Sequence, residues 1–177
     1  MIDKAILTEC YVDSNLIETL IPTKIGYNKQ HGCSRVAGVM KKQLKDKFAL
    51  GIIDKDKTDI DYLKEFDKID EVEHSLILWK HKEKHHYIIQ ISPEVEPWLL
   101  NVAKELNINL NDFGLPTELS DLYKYAKKQS SKSNPDFKRL FGAMRGTDHV
   151  VIKKLIHWVS YLKEKNYKAD IKELTNV

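Results

Sequence analysis

The sequence predicts an α/β fold, with a mainly parallel sheet, helices on both faces and a helical C-terminal extension. Three observations predict it. The apolar runs Lys4–Thr8 and Phe48–Ile53 have the length and composition of buried parallel strands. Strand-like and helix-like patterns alternate between them, as in βαβ units. Beyond Pro93 the pattern is helical almost throughout.

The elements follow in order. The first strand, Lys4–Thr8, leads to a helix over Ser14–Leu20, with Leu16, Ile17 and Leu20 on one face. Asp13 or Ser14 is placed to cap it and Pro22 to stop it. A short second strand is expected near Lys24–Tyr27. After the polar turn Asn28–Ser34, Ser34 is the expected N-cap of a helix over Val36–Lys45, with Val36, Val39, Met40 and Leu44 as its apolar stripe. The third strand, Phe48–Ile53, stops at Asp54-Lys55-Asp56-Lys57. Right-handed crossovers then place helices on both faces of the sheet. Ser75–Trp79 and Tyr87–Ile91 read as a hairpin joined by the polar segment Lys80–His86. Helices are expected at Glu94–Leu106, Glu118–Lys128, Asp136–Phe141 and Asp148–Lys163, the last with the broad apolar face of a core helix. The Ser-rich stretch Gln129–Pro135 reads as a linker or mobile loop. Residues 1–100 are expected to form the α/β core and 101–177 a helical part packed on it, within one domain overall.

Composition narrows the function. The chain has 177 residues, 42% hydrophobic and 31% charged, enough apolar content for a packed core. No stretch reaches the roughly 20 apolar residues of a membrane span. Met1-Ile2-Asp3-Lys4 runs straight into a strand with no cleavage pattern, so no secretory leader is expected. The two cysteines, Cys10 and Cys33, exclude a disulfide scaffold and fit a reducing cytoplasm. The net charge of +3 is too small to demand a polyanionic partner, and only three of the 29 basic residues are arginines: Arg35, Arg139 and Arg145.

In open α/β sheets the active crevice lies beyond the carboxyl ends of the strands. Glu9 and Asp13 follow strand one, and Asp54 and Asp56 follow strand three. The two strands are the most apolar in the chain and are expected to be central and adjacent, so that Glu9, Asp54 and Asp56 converge. In extended chain, residues i and i+2 point to one side, so Asp54 and Asp56 address one point. Like charges about 4 Å apart cost roughly 1 kcal/mol in water and roughly 4 at a protein-like dielectric. Protons or a cation must offset that, and Mg²⁺ (or Mn²⁺) is the hard ion such oxygens take. The plainer reading of an isolated Asp-x-Asp is a surface turn; the matching Glu-x-x-x-Asp after strand one argues for a site.

The segment Ile6–Ile17, an apolar strand ending in Glu9 and followed by Asp13 and a helix, resembles the first motif of the Toprim domain. Leu50-Gly51-Ile52-Ile53-Asp54-Lys55-Asp56 resembles its second motif, a strand ending in Asp-x-Asp. His31–Val36 is similar to the Gly-rich turn of Toprim nucleases of the overcoming-lysogenization-defect type and their stand-alone relatives, and Ile91–Leu99 to an acidic helix start found in some of them. The resemblance covers about residues 4 to 100. Where the family usually has Gly after the first Glu, this chain has Cys10. The resemblance implies a Toprim/Rossmann-like fold and nuclease-like, Mg²⁺-dependent phosphoryl transfer on DNA or RNA, alone or beside a separately encoded ATPase; no ATPase motif is present. It implies that Glu9 acts as general acid/base or as a metal ligand and that Asp54 and Asp56 hold Mg²⁺. Asp13 would support that group or cap the first helix, and Glu96 would support it.

Other features have plainer readings beside the functional ones. Arg35, Arg139 and Arg145, with Lys132, Lys138, Lys153 and Lys154, are candidates for nucleic-acid phosphates or simply form solvated helix faces. His81, His85 and His86 have a zinc-like spacing but fall in a polar hairpin loop. Trp79, Trp98 and Trp158 read as core residues, and Cys33 has no readable catalytic partner. The alternative function is a non-catalytic interaction protein on the same scaffold. A phospho-acceptor signalling domain fits less well, because that chemistry needs an acidic pair after strand one and a single Asp after strand three.

Overall fold

The computed structural model of the chain describes residues 2–55 and 60–176. Its elements run β1 (Asp3–Thr8), α1 (Tyr11–Leu20), β2 (Tyr27–Lys29), α2 (Cys33–Lys42), β3 (Ala49–Asp54), β4 (Phe66–Val72), β5 (Leu76–His81), β6 (His86–Ile91), α3 (Val95–Glu105), α4 (Leu119–Ala126), α5 (Pro135–Arg145), α6 (Val150–Lys165) and α7 (Ile171–Thr175). The strands form one six-stranded sheet of order β2-β1-β3-β6-β5-β4. The pairs β1/β2, β1/β3 and β3/β6 are parallel, while β5 is antiparallel to both β6 and β4. The two most apolar strands, β1 and β3, are neighbours, with Ile6 opposite Leu50 and Thr8 opposite Ile52.

Strand alternation divides the apolar residues between two faces. Ile6, Leu50, Ile52, Ile89 and Ile91 pack with α1, α3, α5 and α6 in a core that runs from Ile6 to Leu174. Residues from both sides of position 100, such as Leu99 and Trp158, share that core. Leu7, Ala49, Ile53 and Ile88 face the other way, toward α2 and a 3₁₀ turn over Asp61–Glu65. Gly51 lets α2 approach the sheet: a Cβ there would stand 2.9 Å from Val36 Cγ1 and 3.1 Å from Met40 Sδ. No helix among the described residues is long and apolar enough to cross a membrane.

Several sequence expectations need correction. Helix α1 starts at Tyr11 rather than Ser14, because the Asp13 carboxylate folds back to accept the Cys10 N–H (2.8 Å) and caps the helix from its first turn. Helix α2 starts at Cys33 after Gly32, so Ser34 lies inside it, and it ends at Lys42. Strand β2 is shifted to Tyr27–Lys29, since Gly26, at φ +66°, turns the chain just before it. Strand β4 has no counterpart in the sequence reading. It is an edge strand rich in Asp, Lys and Glu, and a register shift between Lys68 and Asp70 breaks its two-residue period. Ile69 and Val72 therefore pack on the same core despite being three residues apart.

The stretch Gln129–Pro135 is not a loose linker. It carries a 3₁₀ turn over Gln129–Lys132 that packs on α1, with Ser131 buried. The buried Asn15 amide donates to the Ser131 and Asn134 carbonyls (2.7 and 3.2 Å). Ser131 donates to the Tyr125 carbonyl, and Asn134 caps α5 by accepting from the Asp136 and Phe137 N–H groups. The polar side chains that read as loop composition are spent on anchoring.

The histidines at the hairpin end also have structural partners. His86 is buried; Nε2 donates to the Leu44 carbonyl (2.9 Å), so Nδ1 accepts the Tyr62 hydroxyl (2.7 Å). His81, also buried, accepts the Glu83 and Lys84 N–H groups at Nδ1 and faces Glu65 with Nε2. Burial holds both rings below the ordinary imidazole pKa. Trp98 and Trp158 are core residues, and half-buried Trp79 donates its indole N–H to Gln90 (2.8 Å).

Asn15→Ala leaves two carbonyls without their donor. It is expected to cost about 1–3 kcal/mol, read as a lower urea midpoint at unchanged slope.

Candidate functional site

Register places the site. Thr8 stands opposite Ile52, so the next residue, Glu9, emerges beside the end of β3. The Glu9 N–H donates to the Ile52 carbonyl (3.1 Å), and Glu9 Oε2 accepts the main-chain N–H of Asp54 (3.0 Å). Asp54 Oδ1 accepts the N–H of Val95 (3.0 Å), the first residue of α3, where the helix dipole favours a negative group. Gly32 N–H donates to the Glu9 carbonyl (3.4 Å). Gly32 has φ +97°, a conformation that favours glycine at this turn into α2.

Helix α1 supplies the third carboxyl. Asp13 is 1% exposed; Oδ2 takes the Cys10 N–H, while Oδ1 is buried with no hydrogen-bond partner among the described residues. Ser14 donates to the Cys10 carbonyl and accepts the Thr8 hydroxyl (2.6 Å), tying the start of the helix to the end of β1. The fourth carboxyl, Glu96, is buried in the first turn of α3.

These groups perturb one another. Burial raises the Asp54 carboxyl well above the usual range, and the charges of Asp13, Glu9 and Glu96 raise it further; the Val95 N–H offsets part of this. Burial also raises Asp13, to which Glu9 and Glu96 add repulsion, against the lowering effect of its hydrogen bonds to Cys10. Glu96 is raised chiefly by burial. Cys10 is pushed up by burial and by Asp13, so it is no thiolate nucleophile near neutral pH.

A cavity of about 330 Å³ opens on the cluster, lined by Cys10, Tyr11, Asp54, Glu94, Glu96, Tyr123 and Lys127. The Tyr123 hydroxyl donates to Glu94. Lys29 lies 3.7 Å over the Tyr11 ring. Tyr123 and Lys127 come from α4 and its C-terminal edge, far from the acidic motifs in sequence. Their one signal is the four-residue spacing that puts both on one helix face.

The structure thus gathers Glu9, Asp13, Asp54 and Glu96. Asp56 lies outside the described residues. The three arginines are not brought together. Arg35 is on α2, on one face of the sheet, and Arg139 and Arg145 are on α5, on the other. Arg139 is engaged within the chain, donating to the Phe113 carbonyl and to Asp136 (both 2.9 Å).

Among the described residues, no group of three or more His, Cys, Asp or Glu side chains is placed to hold a metal ion. The chemistry of the cluster nonetheless suits one. Its donors are all carboxylate oxygens, the hard ligands of Mg²⁺ and Mn²⁺. The unpartnered Asp13 Oδ1 and the raised carboxyls need protons or a cation.

The pH dependence has a definite sign. Raised carboxyls favour the protonated form in the fold, so their contribution to stability is full below the unfolded value of about 3.9. It is lost as pH rises through the raised values. Asp54→Asn keeps an oxygen for the Val95 N–H and removes the charge. In chelator it is expected to melt above wild type at about pH 8, by about 2–4 °C per kcal/mol of relieved burial cost and repulsion. The gap should close toward about pH 4. Equal melting at every pH would show that neither the burial of this carboxyl nor the repulsion is felt.

Compared with models of known families, with curated proteins and with solved structures, the chain matches none, so the reading of this site rests on its own residues.

Proposed function

We propose that the chain carries out divalent-cation-dependent phosphoryl transfer on nucleic acid, as a nuclease-like protein of the Toprim kind, at the carboxyl edge of β1 and β3. One observation carries the reading. The Glu9 carboxylate sits within hydrogen-bond distance of the Asp54 main chain, beside a buried Asp13 oxygen that has no partner among the described residues. Glu9 and Asp54 would hold Mg²⁺ or Mn²⁺, together with Asp56. The chemistry such an ion supplies is polarisation of a phosphodiester oxygen and a bound water of lowered pKa.

The chain's own residues do the rest. The Val95 N–H holds the Asp54 carboxyl in place, and the Asp54 N–H does the same for Glu9. Asp13, locked by the Cys10 N–H, adds negative charge behind them and strengthens the demand for a cation. Lys127, which lines the cavity, supplies a basic group for a phosphate.

Mg²⁺ or Mn²⁺ is expected to raise the melting temperature. At a concentration about 100-fold over Kd the gain is about 2.7 kcal/mol, or roughly 5–10 °C for a chain of this size. The same ions are expected to support cleavage of DNA or RNA, which Asp54→Asn abolishes without loss of stability. If neither ion binds or raises the melting temperature, the reading fails and a non-catalytic interaction protein takes its place.

A further inference from the structure

A second cavity lies at the opposite end of the same two strands. It has a volume of about 350 Å³, and its lining includes Asp3, Lys4, Lys47, Phe48, Lys163 and Tyr167. Asp3 begins β1 and Phe48 precedes β3, so one strand length, roughly 20 Å, separates this cavity from the acidic edge. Ligand sites of open α/β sheets sit at the carboxyl ends, and the proposed chemistry does not involve this amino end.

Its charge is unbalanced. Among the described residues, none of the three lysines that line it, Lys4, Lys47 and Lys163, has a carboxylate at ion-pair distance. Lys163 is half-buried, and its ammonium donates to the Tyr27 oxygen (3.0 Å), whose own proton goes to the Ile21 carbonyl (2.9 Å). The one acidic group in the lining, Asp3, accepts the Ala5 N–H (3.0 Å). Three ammonium groups around one cavity repel, and an anion between them removes that cost.

The cavity also carries an open aromatic ring. Tyr167 is 50% exposed, yet its ring makes T-shaped contacts with Phe48 (6.3 Å between centroids) and His85 (5.2 Å). An aromatic ring held by its neighbours and half open to solvent is a stacking platform for a planar group. Asn166, just before it, has φ +39°, a left-handed value uncommon in a residue with a side chain.

We infer that this cavity binds a single free nucleotide, with its base against Tyr167 and its phosphate among Lys4, Lys47 and Lys163. The volume is at the low end of the range for small-molecule sites, about 300–1,000 Å³, and suits one nucleotide rather than two. Lysine ammonium groups bind phosphate as point charges. The site does not depend on the acidic cluster, so it stands or falls separately from the proposed catalysis.

Isothermal titration calorimetry of the full chain in chelator tests it, with AMP, GMP, CMP, inorganic phosphate and a 5′-phosphorylated oligonucleotide as probes. At least one mononucleotide is expected to bind, about tenfold or more tighter than phosphate. Tyr167→Ala and Lys47→Glu are each expected to weaken that binding by about tenfold or more. Both side chains are exposed, so the fold is kept. Asp54→Asn is expected to bind as wild type does. The inference is overturned if no mononucleotide binds at millimolar concentration, if phosphate binds as tightly as the nucleotides, or if neither substitution weakens binding. Binding of the oligonucleotide alone overturns it too.

Discussion

The hydrogen bond from the Asp54 N–H to the Glu9 carboxylate closes the carboxyl end of the central strand pair. It exists because β1 and β3 are parallel neighbours in a register that carries Glu9 just past Ile52. A one-residue slip of that register would send Ile6 and Leu7 to the wrong faces of the sheet. The apolar residues of β1 therefore hold the acidic site in register, and Leu7 and Ile6, each buried in a different core, are as necessary to the site as the carboxyls are.

Packing also explains how so much negative charge is tolerated. Desolvation is the leading influence on Asp13, Asp54 and Glu96, ahead of any neighbouring charge. It is imposed by the helices that cover this end of the sheet: α1 begins two residues after Glu9, and α3 begins at the residue that donates to Asp54. Main-chain N–H groups from these helix starts satisfy one oxygen each of Asp13 and Asp54. Among the described residues, Asp13 Oδ1 is left without a donor. The fold gives each of these carboxylates one fixed bond and withholds the solvent that would otherwise stabilise the charge.

What was legible in the sequence follows the same division. Strands buried on both faces announce themselves as apolar runs, so β1, β3 and β6 could be read directly, and with them the meeting of Glu9 and Asp54. Glu96 was legible as the start of a helix after a strand. Strand β4 was not, because an edge strand needs few apolar residues and its bulge spaces Ile69 and Val72 like helix positions. The anchoring of Gln129–Pro135 was hidden for a different reason. Ser131 and Asn134 have the same composition whether they face water or accept the Asn15 amide, and a partner more than a hundred residues away leaves no local trace. Tyr123 and Lys127 reach the acidic cavity only through the packing of α4, which no motif spacing encodes.

Whole-chain charge says little about where the charges lie. A net +3 argues against a polyanion partner only if the charges are evenly spread. They are not: acidic groups gather where β1 and β3 end, and three lysines with no carboxylate at ion-pair distance among the described residues line the cavity where the same strands begin. Parallel strands make this separation possible, because all their amino ends lie on one rim and all their carboxyl ends on the other. Local fields act over about a Debye length, roughly 8–10 Å at physiological salt, which is shorter than the strands themselves. The near-zero sum therefore conceals a cluster of carboxyls near one rim and a group of lysines near the other.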